Sequence, residues 1–149
     1  MKKHNILLIA HDSRKQELLD WVKFNLPILA AHNLYATGTT GKLISQLAKK
    51  STQEFYLTPL LSGPLGGDAQ AASLIATGKT DILIFFYDNL SMQPHNSDIQ
   101  GLTRIASLYN IAFATNRTTA DMILTSSLFA NEEYCPVKTD FSNYLNRKI

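Results

Sequence analysis

Asp81-Ile82-Leu83-Ile84-Phe85-Phe86 carries one charge at its head and no polar residue after it. An unbroken apolar run of this length, followed at once by polar Tyr87-Asp88, reads as a strand covered on both faces, which is the signature of a parallel sheet. Upstream of it, Asp68 to Thr77 has helical spacing and Gly78 supplies a stop. Downstream come a polar loop, Tyr87 to Ser97, and a helical face marked by Ile99, Leu102, Ile105, Ala106 and Tyr109. Ile111-Ala112-Phe113-Ala114 then reads as another strand, and Thr118 to Thr125 as a helix capped near Asn116. The amino-terminal half repeats the alternation. Ile6-Leu7-Leu8-Ile9-Ala10, Leu34-Tyr35-Ala36 and Tyr56 to Leu61 read as strands, with Pro59 expected to make the last one irregular at its end. Lys15 to Asn25, with Leu18, Trp21 and Val22 on one face, and Gly41 to Lys50, with Leu43, Ile44 and Leu47 inward, read as helices. The tail beyond Asn131 predicts a short extended piece and a final helix from Asp140 to Arg147. The alternation predicts an α/β fold: a single-domain, doubly wound, five-stranded parallel sheet with helices on both faces, spanning residues 1–149.

Composition narrows the function. The chain has 149 residues, 45% of them apolar and 17% charged, enough to build a core and far from a disordered composition. A net charge of +2 without a basic block disfavours nucleic acid as a partner and suits a small phosphorylated substrate. The single cysteine, Cys135, excludes an intrachain disulfide, and with no histidine nearby it is no zinc ligand. The apolar segment before His11 is too short for a signal peptide, and no run approaches the roughly 20 residues of a membrane span, so a cytoplasmic location is expected.

In a sheet of this kind, ligands bind beyond the carboxyl ends of the strands. Every polar cluster of note falls there. His11-Asp12-Ser13-Arg14-Lys15 follows the first strand and Thr37-Gly38-Thr39-Thr40-Gly41 the second. Ser62-Gly63-Pro64-Leu65-Gly66-Gly67-Asp68 follows the third, and Tyr87-Asp88 with Pro94-His95-Asn96-Ser97-Asp98 the fourth. A glycine-rich turn between a strand and a helix bares N–H groups for an anion. An acid beside such a turn is electrostatically costly, which marks Asp68 as a working acid or base. The threonine–glycine segment offers hydroxyls at a helix start, which suits a phosphate, although a capped helix start would look the same; it is too short for a Walker loop. Lys15 opposes the dipole of its helix unless an anion compensates. Taken alone, His11 reads as a satisfied histidine at the core edge before it reads as a ligand contact, and Asp12 as a helix cap. His95 and Asp98, three apart at a helix opening, have the spacing for an acid that orients an imidazole, although an N-cap acid beside a loop histidine would look the same. His4 and His32 lack such company and read as structural.

Taken together, Ala10-His11-Asp12 with Lys15-Gln16, Leu34 to Gly41, Leu61 to Asp68, Phe85-Phe86-Tyr87-Asp88 with Pro94-His95, and Ala114-Thr115-Asn116 closely resemble the methylglyoxal synthases, in order and spacing, over about residues 5–125. The resemblance implies a carbon–oxygen lyase that eliminates inorganic phosphate from dihydroxyacetone phosphate through an enediolate to give methylglyoxal. It implies no metal and no organic cofactor, a homohexamer, and inorganic phosphate as an inhibitor. By motif position, Asp68 is the catalytic base, with His95 and Asp98 beside it. Asp98 supports His95, which donates to the enediolate as neutral imidazole. His11 contacts the substrate, while Lys15, Thr37, Gly38, Thr39, Thr40, Ser62 and Gly63 hold the phosphate end. The chain departs from the family at Tyr87, usually Trp, at Asn89, usually Pro, and at Asn96 and Ser97, where an acid and a proline are usual. Arg147, Lys148 and Arg104 are the cations that compete to reach a phosphate from outside these motifs.

Three other readings fit parts of the pattern. The same fold serves as a non-catalytic ligand-binding regulatory module in carbamoyl-phosphate synthetases, but such a module needs the cradle and not the Asp68–His95 pair. An isomerase would reprotonate the same enediolate. A response-regulator receiver needs clustered acids near the first strand, which this chain lacks.

Overall fold

The computed structural model describes residues 2–51, 54–92 and 94–148. Five strands, β1 (Asn5–Ala10), β2 (Asn33–Thr37), β3 (Tyr56–Leu60), β4 (Ile82–Phe86) and β5 (Ala112–Ala114), form one sheet in the order β3-β2-β1-β4-β5. All four pairings are parallel. The helices are α1 (Lys15–Leu29), α2 (Gly38–Lys50), α3 (Gly67–Ala76), α4 (Asn96–Leu108), α5 (Arg117–Thr125) and the short α6 (Ser127–Ala130) and α7 (Ser142–Leu145).

Side chains alternate across the sheet, so each strand feeds two cores. Ile6, Leu8, Ile82, Ile84 and Phe86 pack with Trp21 and Leu18 of α1, Ile44 of α2 and Leu124 of α5. Leu7, Ile9, Leu83 and Phe85 pack on the opposite face with Ala71 and Ile75 of α3 and Ile99, Leu102 and Ala106 of α4. β1 and β4 are buried along most of their length because both faces are covered. The strand order reverses between β1 and β4, and the crevice above their carboxyl ends is the ligand position of this architecture.

The structure departs from the sequence reading at element ends. α1 runs on through Pro27 because Leu26 and Leu29 extend its buried stripe while Pro27 faces solvent. α2 starts at Gly38, three residues early, with Thr37 as its N-cap. Pro59 sits inside β3, opposite Ala36, instead of ending it. β3 pairs with β2 only, and an edge strand can spare the missing N–H. The cap at Asn116 is as expected, its side chain accepting from the Thr119 amide at 2.9 Å. The final helix is one turn, Ser142–Leu145, and α6 was not anticipated. No helix among the described residues is long and apolar enough to cross a membrane.

Candidate active site

Four of the five strands deliver polar residues to a single cavity of about 230 Å³ at the carboxyl edge of the sheet. β1 leads into His11, whose N–H continues the ladder to the Phe86 carbonyl at 3.1 Å. The chain then makes a 3-10 turn, Asp12–Arg14, and enters α1 at Lys15. β2 runs directly into α2, whose first turn brings Thr39 and Thr40 beside Thr37. β3 leads into Ser62 and the turn Gly63–Leu65, and Gly66, at φ 102°, reverses the chain into α3. His95 is the N-cap of α4.

The glycines set the spacing. A side chain at Gly38 would put its Cβ 2.2 Å from Ser62 Oγ and 2.6 Å from Ser62 Cα, and Gly38 itself stands at φ 23°. The Gly38 N–H donates to the Leu61 carbonyl at 3.1 Å. The threonine segment and the glycine-rich loop therefore meet backbone to backbone. At Gly67, a Cβ would lie 2.1 Å from the Leu61 carbonyl oxygen, so only glycine lets α3 begin this close to β3.

Asp68 is 1% exposed. Its Oδ2 lies 2.7 Å from Nδ1 of His95, across 27 residues of sequence. Its Oδ1 is buried with no hydrogen-bond partner among the described residues, and so are His11 Nε2 and Thr40 Oγ1. A buried polar atom left unpaired costs about 1–3 kcal/mol, and three that line one cavity call for a polar occupant. Asp68 as carboxylate can only accept, so His95 carries its proton on Nδ1. Neutral His95 then presents a lone pair at Nε2, and not the N–H expected from sequence.

His11 is the converse case. The backbone N–H of Asp88 donates to His11 Nδ1 at 2.8 Å, which leaves the proton on Nε2. Burial is the largest cause lowering the His11 pKa, followed by the charge of His95; Asp68 and Asp88 oppose them. The ring thus stays neutral near pH 7 and offers an N–H. It lies edge-on to His95, with centroids 5.8 Å apart.

Of the residues singled out from the sequence, His11, Lys15, Thr37, Thr39, Thr40, Ser62, Gly63, Asp68 and His95 line the cavity. Gly38 sits behind it, against Ser62. Lys15 pairs with Asp12, which lowers the Asp12 pKa, so Asp12 binds a neighbouring side chain where a helix cap was expected. Asp98 stands apart. It is exposed in the first turn of α4, its amide bonded to the His95 carbonyl at 3.0 Å, and the imidazole it was expected to support is held by Asp68 instead. Asp12, Ala10 and Pro64, which fall within the quoted motifs, and Ile9, which nothing in its chemistry marks, complete the wall. The tail cations lie elsewhere: the Arg147 guanidinium stacks on Tyr144, 3.6 Å from the ring centroid.

The family model described as "MGS-like domain" matches residues 17–115, which include every lining residue from Thr37 to His95. The methylglyoxal synthase of Oleidesulfovibrio alaskensis is 48% identical over 143 residues, covering 96% of this chain and 94% of that protein. That of Leptospira interrogans is 52% identical over 124 residues, covering 83% and 80%. The crystal structure of methylglyoxal synthase from Elizabethkingia anophelis superposes with a TM-score of 0.87 at 41% identity, covering 99% of this chain and 93% of that one.

Proposed function

The chain belongs to the methylglyoxal synthase family, and from that membership we propose that it eliminates inorganic phosphate from dihydroxyacetone phosphate to give methylglyoxal. The single observation that carries the reading is the state of Asp68: Oδ2 tied to His95, Oδ1 buried and unpaired in a cavity that also holds an unpaired donor from His11. A base and an electrophile facing one small polar cavity are what proton abstraction beside a ketone requires.

The phosphate end rests on the first turn of α2 and on the hydroxyls of Thr37, Thr39, Thr40 and Ser62, with the Lys15 ammonium nearby. Asp68 Oδ1 removes a proton from the hydroxymethyl carbon. The electrons move to the carbonyl oxygen, where His11 Nε2–H stabilises the enediolate as a neutral donor. His95 accepts the enediol proton at Nε2 and becomes imidazolium beside the Asp68 carboxyl. Asp68, now carrying the abstracted proton on Oδ1, still accepts from His95 Nδ1–H at Oδ2 and keeps the ring in place. The electron pair then expels phosphate, which leaves with one of the two abstracted protons, and the enolate that remains takes back the other at carbon to become methylglyoxal. No oxidant, reductant or net water is consumed. Elimination outruns reprotonation when the carbon–oxygen bond to phosphate stands perpendicular to the enediolate plane, and the cradle sets that torsion.

The enzyme works in the cytoplasm as a homohexamer in this reading, with phosphate competing for the cradle. Exposed apolar side chains such as Phe24, Tyr56, Leu65 and Val137 supply surface that an assembly would cover; light scattering at working concentration tests it. The test of function is incubation with dihydroxyacetone phosphate and no added metal, with methylglyoxal and free phosphate measured together. Equal release of both, lost in Asp68→Asn, is the expected result. Saturable phosphate binding without turnover would point to the regulatory module, and glyceraldehyde phosphate without free phosphate to an isomerase.

A further inference from the structure

We propose that Ser13 and Asp88 are positioning residues: together they hold the loop after β4 so that its backbone keeps His11 in the tautomer that donates from Nε2. The geometry is a short relay. Asp88 Oδ1 accepts from the Leu90 amide at 2.8 Å, closing a turn on itself. Its Oδ2 accepts from Ser13 Oγ at 2.9 Å. Ser13 lies in the 3-10 turn that follows His11 directly, so this second bond ties the segment carrying the histidine to the loop that orients it. With both oxygens engaged, the Asp88 N–H stands 2.8 Å from His11 Nδ1. A neutral imidazole has one proton, and a donor fixed at Nδ1 leaves it on Nε2, the atom that is buried and unpaired at the cavity. Without the relay the loop is free to turn its amide away, and the proton is free to move to Nδ1. The donor facing the substrate then becomes a lone pair facing an oxyanion.

The carboxylate suits the task. The Leu90 amide first, and the Ser13 hydroxyl next, hold the Asp88 carboxyl down to about 2, so it stays an acceptor throughout the working range. Sequence gave no sign of this role, because Asp88 acts through its backbone and Ser13 reaches it across 75 residues.

The proposal rests on His11 as the donor to the substrate oxygen, but its test does not need turnover. Nitrogen NMR of 15N-histidine-labelled protein reads the tautomer directly. Wild type should show His11 protonated at Nε2 alone. Ser13→Ala, a substitution at an exposed site, should admit the second tautomer and lower kcat about three- to tenfold, with KM for dihydroxyacetone phosphate little changed. Ser13→Thr, which keeps the hydroxyl, should restore both. Asp88→Ala should lose more, and adding Ser13→Ala to it should cost nothing further. An unaltered His11 tautomer in both single variants, or losses that simply add, would overturn the relay. If wild type shows no lyase activity, the spectra still decide this point, and the reading of function fails separately.

Discussion

Gly63→Ala separates catalysis from stability more sharply than any other single change in this site. Gly63 opens the turn before Gly66 and is not among the residues with positive φ, so alanine can adopt its backbone. The added methyl meets Asp68 Oδ2 at 3.2 Å, His95 Cε1 at 3.2 Å and Asp68 Oδ1 at 3.3 Å. Those are the three atoms that define the base and its partner, and each must give by a few tenths of an ångström. A misplacement of about 1 Å costs on the order of a hundredfold in rate, so a quarter of that costs about threefold, and tenfold if the pair also parts. In free energy this is about 0.7–1.4 kcal/mol of transition-state stabilisation. On the stability side, replacing glycine restricts the unfolded chain and contributes about 0.4–1 kcal/mol, which offsets the crowding. The expected outcome is a kcat about three- to tenfold lower with the midpoint of urea unfolding nearly unmoved. Steady-state release of phosphate and a denaturation curve on the same preparation give both numbers. Full activity in Gly63→Ala would mean that the Asp68–His95 geometry does not limit the reaction. A variant that lost about 2 kcal/mol or more of stability while keeping its turnover per folded molecule would show that the pair serves the fold.

Three further outcomes follow from the same structure. Asp68→Asn keeps the shape and removes the base, so kcat should fall by about 10²–10⁴ while KM changes little; steady-state kinetics over a range of substrate concentrations separate the two. Thr40→Val keeps the volume and removes the buried, unpaired Oγ1. It should weaken inorganic phosphate, read as a smaller rise in Tm at a fixed phosphate concentration, where wild type at a hundred times its Kd gains about 2.7 kcal/mol. Acid should destabilise the protein through His32, whose pKa burial lowers from 6.5 to about 4. The folded state there binds fewer protons than the unfolded one, so stability is complete above about pH 6.5 and declines as pH falls towards 4, by about 3 kcal/mol over the window. His32 Nδ1 accepts from the His4 amide at 3.2 Å, and His32→Asn, which keeps an acceptor there, should flatten the decline in urea unfolding between pH 7.5 and 4.5.

The parallel sheet was legible because its strands are apolar without interruption: Ile82–Phe86 carries no polar residue to suggest a solvated face. The family and the fold class expected from the motifs stand, and the rim clusters after β1 to β4 meet in one cavity because strand order brings those four ends side by side. Sequence failed where orientation decides. The spacing of His95 and Asp98 suggested a pair, yet at the head of α4 the imidazole turns inward to Asp68 while Asp98 faces water. No local pattern encodes which acid a histidine will face when the nearer one lies on the outside of its helix. The tautomer of His11 depends on a backbone amide, and every residue but proline has one. Pro27 inside α1 was unreadable for a different reason: the buried stripe that carries the helix past it continues in Leu26 and Leu29, which a rule about proline alone overlooks.

The contact between Gly38 and Ser62 constrains how such an enzyme can be redesigned. With Ser62 Cα only 2.6 Å from where a Cβ would stand on Gly38, no side chain can be added at Gly38 without moving the Ser62 backbone. Thr39 and Pro64 line the same cavity while remaining exposed. An engineer seeking room for a longer phosphorylated ketone can cut at Pro64, keeping the Thr39 hydroxyl for the phosphate, and has a seam to leave untouched.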